Sequence, residues 1–198
     1  MSTLSRKSLW VMRHGRPDLP PNPFLMDRHQ FNRFLTAYDD AGLSTEETRR
    51  LTDRYRSIPT PNRIIASDLP RAQETAKILS RGSQPIITEP LLREIPVWLP
   101  DTSSMFLNGR WPTEMWWNYL RFHWFLDAEP EGRHKSLARA REAIALIEHH
   151  QAEAQNLAVV SHAGFLMAII TILHARGAIR GRRLPRIQFG YPNHYTWR

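Results

Sequence analysis

Cysteine is absent from the 198-residue chain. That excludes disulfides, thiolate metal sites and a cysteine nucleophile, and leaves the redox compartment open. Acidic residues are missing from the C-terminal part, where six arginines and no Asp or Glu follow Gln155. No apolar run is long enough and clean enough to span a bilayer. The most apolar stretch, Leu157 to Leu173, contains Ser161, His162 and Gly164, and fits a strand of about five residues followed by a buried helix. Residues 1–8 carry Arg6 and Lys7 without an apolar core, so no secretory signal is expected and the chain reads as cytoplasmic. No internal repeat or low-complexity segment is present. Nine histidines occur without a His-Glu-x-x-His pattern, so neither a metal nor another cofactor is expected.

What the chain does have is positive charge, +8 in formal terms. An excess of this size points to an anionic partner, although a solvated basic surface accounts equally well for most of the arginines. The arginine-rich tail lacks the interleaved aromatics or glycines of an RNA-binding segment. Neither nucleic acid nor membrane is expected as a partner; a small anionic molecule is.

Strands and helices alternate. Leu9 to Met12 is a short apolar strand that ends abruptly in Arg13-His14-Gly15. Pro17 to Pro23 should be irregular, and Phe31, Phe34, Leu35 and Tyr38 then recur at helical spacing. Ser44-Thr45-Glu46-Glu47 predicts a capping box opening a helix towards Ser57. Residues 63–66 read as a second strand and 85–88 as a third. Between them, Ser67, Asp68 and Pro70 predict the start of a helix reaching Ser80. A helix is expected over 113–127, and another begins at Ser136 as its cap. A fourth strand covers 157–161, a helix covers 164–175, and a final strand is expected at 186–189 or 195–198. The expected fold is a single α/β domain over 1–198, a three-layer sandwich whose mostly parallel central sheet is flanked by helices.

In such a sheet Arg13-His14-Gly15, the Ser67-Asp68-Leu69-Pro70-Arg71 segment and Ser161-His162-Ala163-Gly164 share one edge. Two histidines and two arginines converge there beside a helix N-terminus, an arrangement suited to an anion. Here the chain resembles the histidine phosphatase superfamily, also called phosphoglycerate-mutase-like. Arg13-His14-Gly15 matches its hallmark. Residues 67–76 match Ser-x-Leu-x-Arg-Ala-x-x-Thr-Ala in full, and Val159 to Gly164 matches the strand that delivers a second histidine.

The resemblance implies a phosphoglycerate-mutase-like fold and a metal-independent phosphatase that hydrolyses phosphomonoesters through a phosphohistidine. His14 would be the nucleophile, effective only when neutral. Arg13 and Arg71 would hold phosphoryl oxygens, with Arg16 and Ser67 as further substrate-binding residues. His162 would donate to an equatorial oxygen as charge develops. The leaving oxygen needs a proton. In the mutase-like branch a glutamate in a Leu-x-Glu context supplies it, which selects Glu94 in Leu92-Arg93-Glu94; Asp18, Asp68 and Asp101 are weaker candidates. Arg16-Pro17-Asp18 after the hallmark, Gly132-Arg133-His134-Lys135-Ser136 in place of Gly-Glu-Ser, and Ile95 to Pro100 in place of a glycine-rich stretch depart from the family pattern. These departures bear on the substrate and on mutase chemistry. The rival readings are a phosphomutase with the same core and a non-catalytic phospho-ligand or protein-binding module.

Five of the seven tryptophans, Trp98, Trp111, Trp116, Trp117 and Trp124, fall within 95–130. An aromatic-rich helical insertion is expected there, with most rings buried against the core. One or two would line the mouth of the site, with Arg16 or Arg110 supplying charge. The alternative use of its surplus apolar face is a homodimer contact.

Overall fold

In the computed structural model, residues 7–100, 104 and 107–198 are described. Asp101, one of the candidate acids, lies outside the described residues. The central sheet contains β1 (Ser8–Arg13), β3 (Arg63–Ala66), β4 (Ile86–Thr88), β6 (Asn156–Ser161), β7 (Ile179–Gly181) and β8 (Pro192–Trp197), in the order β4-β3-β6-β1-β8-β7. The first four in that order run parallel; β8 is antiparallel to both β1 and β7. The expected three-layer α/β sandwich is therefore present, with an antiparallel extension at one side. Its last strand is not at 186–189, and the short β7 is one the apolar pattern does not announce.

Period-two alternation explains why both faces of the sheet are dry. Leu9, Val11, Ile65, Leu157 and Val159 face α5 (Arg133–Glu153) and α6 (Ala163–Ala175). Met12, Ile64, Ala66, Ala158 and Val160 face α2 (Thr45–Tyr55) and α3 (Pro70–Ser80). Residues that alternate along a strand point to opposite faces, and a strand covered on both faces is apolar throughout. Each large side chain so buried contributes about 1.5–3 kcal/mol.

A third cluster lies apart from these two. β2 (Leu25–Asp27) pairs antiparallel with β5 (Arg110–Pro112), and α1 (Arg28–Asp40) and α4 (Thr113–Phe125) pack beside this ribbon. Met26, Phe31, Leu35, Leu99, Leu107, Trp116 and Leu120 form its interior. Most described apolar residues of the 95–130 segment thus pack with β2 and α1, while Ile95 joins the sheet's core and the Trp124 indole reaches Ser136 on α5, which corrects the expected fate of its rings. Among its described rings only Trp116 is fully buried, while Trp98 is 50% exposed and Phe122 and Phe125 lie in solvent. One side of α4 meets protein, so one stripe of its apolar residues is covered. Arg110 sits on the ribbon, its guanidinium reaching the Leu25 carbonyl.

Two expected caps differ. Ser44 caps α2 by accepting from the Glu47 N–H, but the Glu47 carboxylate accepts from the Arg16 N–H and from Arg50 instead of closing the box. Gly132, not Ser136, is the N-cap of α5; Ser136 is buried one turn in, where its hydroxyl takes the Trp124 indole N–H. Among the described residues no helix is long and apolar enough to cross a membrane.

Candidate active site

Register brings the three motifs together. Arg13 on β1 lies opposite Ser161 on β6, and Ala66 on β3 lies opposite Val160. Beyond the paired ends, the His14 N–H donates to the Ser161 carbonyl at 2.9 Å and the Ser67 N–H to the Val160 carbonyl at 3.0 Å. His14, Ser67 and His162 therefore leave the sheet side by side, with their backbones fixed.

The second motif has a structural explanation residue by residue. Ala72 and Ala76 are the small side chains that let α3 lie close to the sheet. The Thr75 hydroxyl accepts from the Gly15 N–H at 2.8 Å and donates to the Arg71 carbonyl at 2.7 Å, tying the His14 turn to α3. Gly15 has to be glycine for space: a Cβ there would lie 2.7 Å from a Leu51 methyl.

His14 is buried, and its Nδ1 lies 2.6 Å from the Gly15 carbonyl. A carbonyl can only accept, so Nδ1 carries the proton and Nε2 keeps its lone pair. Arg71 Nε points at that Nε2 from 3.3 Å. Burial first, then the Arg71 and Arg13 guanidinium groups, hold the imidazole well below the ordinary histidine range; the Gly15 contact opposes them. The ring is therefore neutral at pH 7. The His162 ring centroid is 4.9 Å away. Its Nε2 lies 2.9 Å from the Ser67 hydroxyl and its Nδ1 3.4 Å from Arg71 Nη2. Burial, then His14 and the same two arginines, keep His162 neutral as well. Ser67 thus meets His162 rather than open space.

Arg71 is fully buried. Besides reaching both histidines, it donates to the Tyr38 and Asp39 carbonyls at 2.5 and 3.1 Å and to the Asp39 carboxylate at 3.1 Å. Arg13 donates to the Tyr38 phenol at 3.1 Å and to the Ile187 carbonyl at 3.2 Å, and stacks 3.8 Å over the Phe189 ring. Its Nε is buried and has no partner among the described residues, so one of its donors is left for an anion.

Glu94 is placed differently from its expected partners. Its carboxylate accepts from the Gly164 and Phe165 N–H groups at 3.2 and 3.1 Å and from the Ile95 N–H at 3.1 Å. It caps the first turn of α6, two residues past His162, and bonds neither histidine. Asp68 is bound by Arg93 at 2.7 Å, and Asp18 is exposed. Arg16 is also exposed, with its guanidinium carbon 5.9 Å from the Phe189 centroid. Tyr38, Asp39 and Phe189 were not among the expected site residues. Tyr38 is visible in the sequence only as one apolar position of a helix, and Phe189 sits in a basic stretch of no evident pattern. Among the described residues no group of three or more His, Asp or Glu side chains is placed to hold a metal ion.

The glucosyl-3-phosphoglycerate phosphatase of a mycobacterium, in complex with vanadate, superposes with a TM-score of 0.63 at 19% identity, over 97% of this chain and 96% of that one. An alpha-ribazole phosphatase from Shigella flexneri gives 0.57 at 20% identity, over 96% and 94%. A phosphoserine phosphatase from Entamoeba histolytica gives 0.55 at 19%, over 85% and 80%. At such identities the likeness establishes the fold. No curated protein sequence matches the chain. The sequence profile of the histidine phosphatase superfamily, branch 1, does match, over residues 9–189. That match spans most of the chain: this chain is a member of the histidine phosphatase superfamily.

Proposed function

We propose that the protein is a metal-independent phosphatase that hydrolyses phosphomonoesters in two in-line steps through His14. The observation that carries this reading is the state of His14: neutral, with Nδ1 engaged by the Gly15 carbonyl and an unprotonated Nε2 whose lone pair accepts from Arg71 Nε. In the first step Nε2 attacks phosphorus, the P–N bond forms and the ester P–O bond breaks. Arg71 moves its donors from Nε2 and the end of α1 to the phosphoryl oxygens, and Arg13 adds its unpartnered Nε. Two guanidinium groups supply the positive charge the transferring group needs. His162 accepts from Arg71 at Nδ1 in the free site; once Arg71 turns to the phosphoryl group the ring changes tautomer, Nε2 accepts from the Ser67 hydroxyl and the Nδ1–H faces a third oxygen. Glu94 gives its proton to the leaving alkoxide; it sits beside Gly164, the second residue after His162. In the second step the carboxylate takes a proton from water, the water oxygen attacks phosphorus, and phosphate leaves with His14 restored.

Brief exposure to labelled phosphomonoester followed by a quench in base should leave one acid-labile, alkali-stable phosphoryl group per chain, absent from His14→Ala. Turnover near the wild-type rate by His14→Ala would overturn the reading.

A further inference from the structure

Beside Arg13 and Phe189 lies a cleft of about 570 Å³ bounded by Arg16, by one face of α2 from its cap Ser44 to Arg54, and by Gln188. Four arginines, Arg13, Arg16, Arg50 and Arg54, line it against Glu46 and Glu47. Their charges are not equally committed. Glu47 binds Arg50 through two hydrogen bonds of 2.6 and 2.5 Å. Among the described residues the Arg54 guanidinium hydrogen-bonds only the carbonyls of Phe189 and Gly190, at 3.2 and 3.4 Å. Among the described residues the Arg16 guanidinium hydrogen-bonds no carboxylate; it lies near the Phe189 ring and acts on Glu47 only through space, while Glu47 gives its hydrogen bonds to Arg50 and the Arg16 N–H. Carbonyl acceptors orient a guanidinium without neutralising it, so the cleft keeps net positive charge in partly enclosed surroundings, where an anion is held more strongly than in open water.

The cleft adjoins the nucleophile. The His14 ring lies 5.6 Å and the Arg16 guanidinium carbon 5.9 Å from the same Phe189 centroid, so the two are at most about 11.5 Å apart. Arg13 borders both places. Building on the phosphatase reading, we infer that the substrate is a phosphomonoester carrying a second anionic group, which Arg16 and Arg54 hold in this cleft while the ester phosphate lies at His14. A leaving group that ends in a phosphate or a carboxylate fits; a neutral alcohol leaves the cleft unused.

The test uses a chain length that spans the two places. Hydrolysis of hexanediol monophosphate, hexanediol bisphosphate and phosphohexanoate is compared. In parallel, calorimetry measures binding of hexane monophosphonate, bisphosphonate and phosphonohexanoate, which the enzyme cannot turn over. A second anion should raise kcat/KM and affinity about tenfold, with the gain shrinking as salt is added. The bisphosphonate and carboxylate arms tell which anion the cleft prefers. Arg16→Gln, which breaks no structural hydrogen bond of its side chain, and Arg54→Gln should each bring the ratio of dianchored to monoanchored compound towards one. A wild-type ratio near one in both assays, or a ratio that both variants leave intact, overturns the inference. Absence of hydrolysis with preserved selectivity in binding would instead sink the phosphatase reading and leave the cleft assignment standing.

Discussion

The main-chain carbonyl of Tyr38 accepts a 2.5 Å hydrogen bond from Arg71 Nη1, so the end of α1 holds the guanidinium that reaches both histidines. A phosphoryl group has to win those donors from the helix. Lysine at this position offers one point charge in place of a planar fork. Arg71→Lys should lower kcat/KM by roughly a hundredfold to a thousandfold, measured by steady-state hydrolysis of a phosphomonoester. A loss below tenfold would mean that Arg71 serves α1 alone.

The two buried neutral histidines make stability depend on pH. Their folded pKa values lie below the unfolded value of about 6.5. Above that value neither state binds the proton and the stability is fully present. As pH falls below it, the unfolded chain takes up protons that the native site refuses. Stability should then drop by about 1.4 kcal/mol per pH unit for each histidine. Urea titrations between pH 7.5 and 5 should show this slope, reduced in His162→Gln. The acid limb of kcat/KM should fall well below 6.5, because His14 stays neutral there; a limb centred at 6.5 would contradict the burial argument.

Glu94 carries two duties that separate by substitution. Glu94→Gln keeps one acceptor oxygen, which can serve the Phe165 and Ile95 N–H groups that share Oε1, but it turns an amide NH2 towards the Gly164 N–H that bonds Oε2, so its melting temperature should fall, though less than that of Glu94→Ala. Glu94→Ala removes the cap and should cost about 1 kcal/mol. As proton donor, Glu94→Gln should slow an alkyl phosphate far more than an activated aryl phosphate. Equal losses for both esters would leave Glu94 as a cap and nothing more.

Gly190 combines a left-handed backbone, φ 61°, with a crowded approach: a Cβ there would lie 2.1 Å from a Leu51 methyl. Its N–H bridges the Arg13 and His14 carbonyls at 3.0 and 3.1 Å. Gly190→Ala should therefore cost about 2–4 kcal/mol and depress kcat as well. Gly177→Ala is the control: φ is 66° but no atom lies within 4 Å. It should cost about 1 kcal/mol and leave kcat alone. Thermal melts and turnover of both variants decide the matter.

In the third cluster Trp116 and Trp98 should behave oppositely. Trp116 is fully buried and its indole donates to the Met26 carbonyl at 2.9 Å, so Trp116→Ala should cost about 3–5 kcal/mol. The half-exposed Trp98 should cost little. If the 95–130 segment sets substrate choice, Trp98→Ala will change relative kcat/KM among phosphate esters without changing the mass in solution. A changed mass with constant preference would assign the exposed rings to a subunit contact.

The parallel strands and the helices that cover them were legible because their signal is local: short apolar runs in β1, β3 and β6, Ser44 before α2, Pro70 at the start of α3. His14, Arg71 and His162 were legible because each stands at the end of such a strand or one turn into the helix after it. The rest depends on contacts between distant segments. β2 and β5 are three residues each and exist only as a pair, so neither has a pattern of its own. Glu47 looks like half of a capping box until the Arg16 N–H competes for it. Ser136 looks like a cap until the Trp124 indole reaches its hydroxyl. The role of Tyr38 depends on its carbonyl, which no side-chain pattern encodes.

β1 lies between two strands that come from far along the chain: Ser8 pairs with Asn156 on one side and with Thr196 on the other. On the ribosome, the apolar Leu9 to Met12 segment emerges early and stays unpaired until almost the whole chain has been made. Non-local pairing of this kind forms slowly, and an exposed strand edge invites association with other chains in the meantime. A ribosome stalled before β8 therefore holds a polypeptide in which the strand leading to His14 has only one of its two neighbours.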